Sequence, residues 1–330
     1  MAPSQMKLVV FAGPNGSGKS SITEVKRKAP DFPENYINAD AIAKSLVKQG
    51  RYKTIEAANK EAADEAGRRR EDCLNRGVSF AFETVLSTPG NVAIIAAAKE
   101  RGFQIEVHAV TLHSPEKNVA RVAHRVAANG HAVPAKKIIQ RYHRSMEMLP
   151  IAIALADKAT VYDNSKDHIS GPTSPSIIMT AEKGQITKID KTSQVAVNIA
   201  SHMDKRTESL LSALDFADAQ HKQLRTPDLL GQELVKGRIC DETNYHFVTE
   251  GISGELVVHD KFMQLDKQGR RPATLDEAKE IARSRLDPPA SGIRSGIDTE
   301  ISYDYRGGGK NSRNIEDIAI IPGRDNEIGR

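Results

Sequence analysis

Residues 13–20 constrain the fold of this 330-residue chain more than any other segment. They match the pattern G-x-x-x-x-G-K-S/T in full and stand between a short apolar run, 7–12, and a helical pattern. Glycines allow successive backbone N–H groups to turn inward toward phosphate oxygens, and the following helix adds the positive end of its dipole. We therefore expect a nucleotide-phosphate site, a P-loop, formed by Gly13, Pro14, Asn15, Gly16, Ser17, Gly18, Lys19 and Ser20.

The last two residues of the P-loop have distinct expected roles. Lys19 is expected to neutralise the β- and γ-phosphates of ATP, and the Ser20 hydroxyl to bind Mg²⁺. The alternative is a glycine-rich surface turn, but such a turn does not require the strand and helix patterns that flank this segment. The motif by itself does not distinguish a kinase from an ATPase or a motor, although the GTPase base-reading pattern N-K-x-D is absent from the sequence.

Residues 1–165 alternate short apolar runs with longer helical patterns, which is typical of a parallel sheet with crossover helices. We predict an α/β fold with a doubly wound parallel sheet for residues 1–190 and a mixed α/β extension of unknown function for residues 191–330. The predicted strands are 7–12, 36–39, 78–82, 103–112 and 159–162, with a hairpin at 177–189. The predicted helices are 41–48, 54–76, 89–101, 114–130, 133–148 and 193–223, with a linker at 171–176 and loosely ordered chain from 306 onward.

Two acidic residues follow predicted strands, at the edge of the sheet where open α/β folds bind ligands. Asp40 comes after the second strand, where its carboxylate either accepts the proton of an attacking hydroxyl or only caps the next helix. Glu83 closes the third strand, where it either holds Mg²⁺ through water or a substrate hydroxyl, or simply marks the point at which the strand reaches solvent. Thr84 offers a hydrogen bond in the same place. Spacing alone leaves these alternatives open.

Residues 117–144 contain seven lysines and arginines and no aspartate or glutamate. Arg121 and Arg125 share one helix face, and Arg141 and Arg144 share a face of the next predicted helix. Because like charges at this spacing destabilise a helix, an anion between the two helices would explain them, with the helices acting as a lid over phosphates. A nucleic acid fits the charge but not the composition, since aromatic residues make up only 5% of the chain and tryptophan is absent.

Composition and residue spacing argue against disulfide-linked, zinc-binding and membrane-spanning proteins. The formal net charge is only +4, and neither Cys73 nor Cys240 has metal-type spacing around it. The histidines His124, His131 and His143 do not have the spacing of a zinc site on one helix. No apolar run reaches the length of a membrane span, and the N-terminus lacks the layout of a signal peptide. We therefore expect a soluble, cytoplasmic protein in a reducing compartment, with delivery into another cell left open.

Eight short segments, in their order and spacing over residues 6–190, resemble the zeta toxin family of bacterial toxin–antitoxin systems. The segments are AGPNGSGKS (12–20), YINAD (36–40), FET (82–84), RVAHRV (121–126), GHAVP (130–134), RYHRS (141–145), LAD (155–157) and YDNS (162–165). Zeta toxins are P-loop kinases that phosphorylate the 3′-hydroxyl of the sugar in UDP-N-acetylglucosamine. The resemblance therefore implies a P-loop kinase-like fold, a phosphotransferase with an alcohol group as acceptor, and a protein antitoxin as partner.

The resemblance also implies roles for individual residues. Lys19 and Ser20 would hold ATP and Mg²⁺, and Asp40 would be the catalytic base. Glu83 and Thr84 would line the substrate site. Lid arginines, among Arg121, Arg125 and Arg141, would stabilise the phosphoryl group during transfer.

Two alternatives remain at this stage. The first keeps the kinase and changes the acceptor to NAD or another nucleotide, because the family is not uniform in substrate. The second is a nucleotide-gated protein that binds a partner or RNA and phosphorylates no acceptor. Residues beyond 193 lie outside the resemblance, and the choices for them are a regulatory or antitoxin-like element, a substrate lid, and a delivery or partner-binding domain.

Overall fold

The computed structural model describes residues 5–127, 132–166, 174–230, 233–251, 253–263, 274–286 and 298–302. Over these residues the chain divides into two compact units between Met203 and Asp204. The boundary predicted at residue 190 falls earlier, in the loop before the helix that contains both residues. His131, residues 171–173 of the predicted linker, and the predicted loose chain from 306 onward lie outside the described residues.

The first unit is an α/β structure. Its elements are β1 (Lys7–Ala12), α1 (Lys19–Lys26), β2 (Asn35–Ile37), α2 (Ala39–Lys48), α3 (Ile55–Asn75), β3 (Phe80–Thr84), α4 (Pro89–Glu100), β4 (Gln104–Thr111), α5 (Pro115–Ala127), α6 (Ala135–Leu155), β5 (Lys158–Asp163), β6 (Ser176–Glu182), β7 (Gln185–Ile189) and the first part of α7 (Gln194–Ala219). The strands form one sheet in the order β2-β3-β1-β4-β5-β6-β7. The first five strands in that order are parallel, and the β6–β7 hairpin continues the sheet antiparallel to β5.

Strand β1 lies in the middle of this sheet because its side chains are apolar on both faces. Leu8, Val9, Val10 and Phe11 are each at most 2% exposed, as expected for a strand covered by helices on both sides. Along the strand order, the connection from β1 to β2 goes toward one edge of the sheet, and the connection from β3 to β4 goes toward the other edge. Since crossover connections are right-handed, helices cover both faces. The predicted doubly wound sheet is confirmed.

The carboxyl ends of the parallel strands meet at one edge of the sheet. The chain leaves β1 toward β2 on one side and leaves β4 toward β5 on the other, so the strand order reverses between β1 and β4. Ligands of open α/β sheets bind at such a reversal, outside the carboxyl ends. The P-loop begins there, directly after Ala12.

Helix α6 is longer than the sequence predicts. It was expected to end at residue 148, yet it runs to Leu155 with Pro150 inside it. An internal proline removes one helix hydrogen bond and costs about 3 kcal/mol. Leu149, Ala152 and Ile153 are each at most 2% exposed, and their burial contributes enough apolar contact to keep the last turn helical.

The second unit has its own sheet and core. Its elements are the rest of α7, β8 (Leu224–Arg225), β9 (Leu234–Glu242), β10 (His246–Gly251), β11 (Leu256–Asp260), a 3-10 helix (Lys261–Met263), α8 (Leu275–Leu286) and β12 (Asp298–Ser302). The strand order is β12-β9-β10-β11-β8. Ala213 and Ala217 of α7 pack on Val248, Leu256 and Val258 of the sheet.

One buried cation of the second unit is held between aromatic rings. The Arg206 guanidinium lies 4.8 Å from the ring centre of Tyr245 and 5.3 Å from that of Phe262. Its Nη1 donates to Asp260 Oδ2 at 2.6 Å, and only 9% of its side chain is exposed. Ring stacking and ion pairing thus compensate for much of the cost of burying this charge.

Within the part of the chain that the structure describes, no helix is long and apolar enough to cross a lipid bilayer.

Candidate functional site

The P-loop joins β1 to α1 through left-handed backbone. Gly13, Gly16 and Gly18 have φ angles of +146°, +79° and +95°, conformations that residues with a side chain rarely adopt. Gly18 is the N-cap of α1 and supplies no side-chain cap bond. The first N–H groups of α1 have no acceptor within the helix, so they are available to an anion, and the loop fits a nucleotide phosphate.

Three parts of the chain that are distant in sequence hold the loop in place. The Gly13 amide donates to the Thr84 carbonyl at 3.2 Å, which ties the loop to the end of β3. From α5, the Asn118 side chain donates to the Asn15 carbonyl at 2.6 Å. After β5, the Asn164 side chain donates to the Ser17 carbonyl at 2.9 Å. The conformation of the loop is therefore set before any nucleotide binds.

The Lys19 side chain folds back over the loop, and its Nζ donates to the carbonyls of Gly13 at 2.7 Å and Pro14 at 3.1 Å. Burial lowers the pKa of Lys19 to about 8, and the charges of Glu83 and Asp40 oppose this shift. Arg125 and Arg141 act in the same direction as burial. The charges of four other predicted site residues thus act on Lys19, and we call the five residues the Lys19 cluster: Lys19, Asp40, Glu83, Arg125 and Arg141.

Asp40 does not cap the helix that follows β2, which was one of its two predicted roles. Helix α2 begins one residue earlier, at Ala39, and Asn38 is its N-cap, with Oδ1 accepting from the Ala41 amide at 3.1 Å. Asn38 is the cap because it precedes the first turn of the helix and has the extended backbone conformation that an N-cap residue needs. Asp40 is exposed in the first turn, and the described residues give its carboxylate no hydrogen-bond partner. It is therefore available to a ligand.

Glu83 is oriented by two residues that spacing did not single out. Tyr36 donates from its hydroxyl to Glu83 Oε1 at 2.7 Å, and Asn38 donates from Nδ2 to the Tyr36 hydroxyl at 2.9 Å. Burial raises the pKa of Tyr36 well above its usual value, so the phenol keeps its proton. The Arg27 guanidinium lies 4.4 Å from the Tyr36 ring centre and fixes that ring from the other side. One carboxylate oxygen of Glu83 is thus held, and the residues that the structure describes give the other no hydrogen-bond partner.

Thr84 is placed differently from Glu83. It is buried, and its hydroxyl accepts from the Leu86 amide at 2.9 Å, which stabilises the turn after β3. Leu86 has a φ of +53°, so this turn is strained. The bonds of Thr84 are to the chain itself, and its role toward a substrate stays a prediction.

The three predicted lid arginines differ in position. Arg141 donates from Nη1 to Asn15 Oδ1 at 3.3 Å, directly on the P-loop. Its pKa is lowered by burial and by Arg144, while Asp40 opposes the shift. Arg125 is exposed on α5. Arg121 lies one turn earlier on that helix and donates to the Lys166 carbonyl at 3.2 Å.

Ser20 is the second residue of α1 and is exposed next to Lys19. A hydroxyl at this place fits Mg²⁺, which keeps several waters and takes few protein ligands when phosphates supply the rest. Within the described residues, no group of three or more histidine, cysteine or acidic side chains is arranged to hold a metal ion by itself. Ser20 together with phosphate oxygens is therefore the arrangement for Mg²⁺ that the residues allow.

The comparison with protein families decides the assignment. The zeta toxin family model matches residues 2–169, just over half of the chain. This chain belongs to the zeta toxin family. The family resemblance and the P-loop kinase-like fold expected from the sequence are both confirmed. Residues 2–169 thus form a nucleotide-binding, kinase-like domain of the zeta toxin type.

Individual relatives are more distant. An uncharacterized protein of Haemophilus influenzae is 28% identical over 143 residues, which are 42% of this zeta toxin family chain and 94% of that protein. Among solved structures, a chain of the AvrRxo1-ORF1:-ORF2 complex with ATP is 16% identical, with a TM-score of 0.45 over 60% of this chain and 64% of that one. A chain of the PezAT toxin–antitoxin system of Streptococcus pneumoniae is 18% identical, with a TM-score of 0.36 over 64% and 89%. This chain thus spans just under two thirds of the AvrRxo1 chain that it matches.

Proposed function

We propose that this zeta toxin is an ATP- and Mg²⁺-dependent kinase that transfers the γ-phosphoryl group to a hydroxyl of a small molecule. The observation that carries the proposal is the Lys19 cluster, in which two carboxylates and two arginines act on one phosphate-binding lysine. Nucleotide binding alone needs only the loop and its lysine. Phosphoryl transfer requires, in addition, an exposed carboxylate for the acceptor hydroxyl and arginines near the phosphate that is transferred.

Each residue of the Lys19 cluster has one task in this proposal. The N–H groups at the start of α1 and the Lys19 ammonium bind the phosphates of ATP. Asp40 accepts the proton of the acceptor hydroxyl, and the free oxygen of Glu83 orients that hydroxyl. Arg141 and Arg125 stabilise the charge on the phosphoryl group in transit. Mg²⁺, held at Ser20, supplies further neutralisation of phosphate charge when bound.

The preferred acceptor is the 3′-hydroxyl of UDP-N-acetylglucosamine, and the alternative is NAD or another nucleotide. Membership of the zeta toxin family supports the first choice. A protein antitoxin as partner is also part of the proposal, and membership of the zeta toxin family supports it. We place the activity in the cytoplasm, where ATP and nucleotide sugars are present. The extension at 191–330 is proposed as a separate element outside the kinase chemistry.

Transfer is tested directly by incubating the full chain with ATP, Mg²⁺ and one acceptor at a time. The acceptors are UDP-N-acetylglucosamine, NAD and free N-acetylglucosamine, and mass spectrometry reports which one gains a phosphate. Lys19→Ala should abolish transfer, since it removes the charge that binds the phosphates. If the wild-type chain binds ATP but phosphorylates none of these acceptors, a nucleotide-gated binding protein replaces the kinase.

A further inference from the structure

Asn15 connects the P-loop to both helices that carry the predicted lid arginines. Its backbone carbonyl accepts from Asn118 Nδ2 of α5 at 2.6 Å, and its side-chain Oδ1 accepts from Arg141 Nη1 of α6 at 3.3 Å. The partners lie 103 and 126 residues away along the chain, so the fold alone brings them to this loop residue. Asn15 therefore contacts α5 through its backbone and α6 through its side chain.

Helix α5 is also packed against the loop at the next residue. A Cβ atom added to Gly16 would lie 2.9 Å from the Asn118 carbonyl oxygen and 3.1 Å from Val122 Cγ2. Gly16 has a φ of +79°, which residues with a side chain rarely adopt. Backbone packing and the Asn118 bond thus hold α5 on the loop without any help from the Asn15 side chain. The hydrogen bond that the structure gives that side chain is to Arg141.

Arg141 lies among other cations. Burial lowers its pKa, and the charge of Arg144 lowers it further, while Asp40 opposes the shift. Arg141 is also one of the two arginines whose charge lowers the pKa of Lys19. Like charges repel, and a long arginine side chain has many rotamers into which this repulsion can move it. A contact on the P-loop is therefore needed to keep the guanidinium there before a nucleotide binds.

The acceptor that Asn15 offers to Arg141 is an amide oxygen, which carries no net charge. A carboxylate in its place would bind the guanidinium more strongly, but it would cancel the positive charge and repel a phosphate. Arginine has five N–H donors, and the bond to Asn15 uses one of them. Asn15 thus fixes the position of Arg141 and leaves its charge to act on a phosphoryl group.

We propose that Asn15 is a positioning residue, which holds Arg141 beside the P-loop for phosphoryl transfer. The inference rests on the proposed kinase function, in which Arg141 stabilises the phosphoryl group in transit. Because the guanidinium is already in place, it loses little rotamer freedom when the transition state forms. Without the Asn15 side chain, Arg141 has to be ordered during transfer, so the rate falls. ATP still binds, because the N–H groups of the loop and Lys19 hold its phosphates.

The first experiment measures the mobility of Arg141 in the full chain without nucleotide. Nitrogen-15 relaxation of the Nε–H group, assigned by its loss in Arg141→Lys, should show a rigid group in the wild type. In Asn15→Ala its order parameter should fall below about 0.6. Arg70 is the internal control, because it donates to Asn91 at 3.0 Å and stacks on Phe82, and its signal should not change. An Arg141 group that is equally rigid in both proteins overturns the proposal.

The second experiment measures transfer and ATP binding separately. Asn15→Ala should lower kcat about tenfold and change the Kd for ATP by less than about threefold. Asn15 is not in the left-handed region of φ, and its carbonyl stays in the variant, so the unfolding temperature should match the wild type. Asn198→Ala is the matched control, since it removes an exposed asparagine side chain of α7, and it should transfer at the wild-type rate.

A double-mutant cycle separates positioning from a structural role. In the Arg141→Ala background, Asn15→Ala should lower kcat no further, because the side chain that Asn15 holds is already absent. Asn118→Ala gives the contrasting result: it loosens the loop itself, so it should weaken ATP binding by the same factor with and without Arg141. If Asn15→Ala lowers kcat by the same factor in both backgrounds, the inference fails and the kinase stands.

Failure of the kinase proposal gives a different result. If Asn15→Ala makes Arg141 mobile but the wild type phosphorylates no acceptor, the kinase proposal fails, and the role of Asn15 in transfer fails with it. If the wild type phosphorylates an acceptor and Asn15→Ala has the kcat and Kd of the wild type, the kinase stands and Asn15 does not position Arg141 for transfer.

Discussion

Asn164 lies directly against Gly18, and its side-chain amide donates to the carbonyl of the preceding residue, Ser17, at 2.9 Å. A Cβ atom added to Gly18 would lie 2.3 Å from that same amide nitrogen. Gly18 also has a φ of +95°, which residues with a side chain rarely adopt. The loop after β5 therefore packs closely against the P-loop. Residue 18 must be glycine for two reasons: its positive φ, and its contact with Asn164.

We expect Gly18→Ala to weaken ATP binding by at least about tenfold. The P-loop must shift away from Asn164, so the N–H groups of the loop no longer point at the phosphates. Gly50→Ala is a matched control, since Gly50 also has a positive φ, +74°, but has open space around it. The control should lose only about 1 kcal/mol of stability through backbone strain. Calorimetric titration with ATP and thermal unfolding check both variants. Wild-type affinity in Gly18→Ala would show that the contact with Asn164 does not shape the site.

Asp40→Asn should reduce phosphoryl transfer by about 100-fold or more and leave ATP affinity nearly unchanged, because only the acceptor loses its base. Its stability should match the wild type, since Asn38 and not Asp40 caps α2. The control is Asn38→Ala, which removes the cap and should cost about 1 kcal/mol of stability. Single-turnover kinetics and urea unfolding separate the two effects. If Asp40→Asn destabilises the chain as much as Asn38→Ala does, the carboxylate is structural.

ATP binding should weaken as the pH rises through about 8, because burial lowers the pKa of Lys19 to about 8 in the free protein. Below that pH the ammonium is charged and binds phosphate; above it the proton is lost. Bound phosphate favours the charged form, so binding at pH 8.5 should take up protons. Calorimetry in two buffers of different ionisation enthalpy measures this uptake. Lys19→Arg, which stays protonated, should show no such uptake, and a wild-type affinity that is flat from pH 7 to 9.5 would contradict the assignment.

Arg206→Met should destabilise the second unit by roughly 3–5 kcal/mol, because it removes the cation that pairs with the partly buried Asp260 carboxylate. The double variant Arg206→Met/Asp260→Asn should recover much of that loss, which distinguishes a lost charge pair from lost packing. Arg225→Met is the control, since Arg225 pairs with Glu233 at 2.6 Å but is 45% exposed; it should cost about 1 kcal/mol or less. Urea denaturation followed by circular dichroism reports each change. If Arg206→Met and Arg225→Met lost the same free energy of unfolding, burial would not explain the strength of the Arg206–Asp260 pair.

The parts of the site that the sequence predicts are those that lie close together along the chain. A strand, eight loop residues and a helix are contiguous, so the P-loop and its position follow from pattern alone. The contacts that hold the loop are not local: Asn118 lies 103 residues from Asn15, and Asn164 lies 147 residues from Ser17. The signals for Asn164 in the sequence are its place in the YDNS segment of the family resemblance and its position two residues after a predicted strand.

At two helix ends the structure differs from an expectation drawn from the sequence: it excludes the capping alternative for Asp40, and it extends α6 beyond residue 148. Asn38 precedes α2 and Asp40 lies in its first turn, and the sequence alone does not say which of them is the N-cap that reaches the Ala41 amide. Pro150 does not end α6, because the burial of Leu149 and Ile153 outweighs its local cost. Tyr36 looked like an ordinary strand residue, since only the fold brings its hydroxyl to Glu83, 47 residues away.

The pairing of β1 with β3 sets Phe11 opposite Glu83 and Ala12 opposite Thr84. Side chains alternate between the faces of a strand, so Glu83 shares a face with Ala81, which packs near Tyr36. Deleting or inserting one residue in β3 would bring Phe82 or Thr84 to that face and send the carboxylate to the other. A change of one residue in the length of β3 would therefore turn the Glu83 carboxylate away from Tyr36 and from the face on which both now lie.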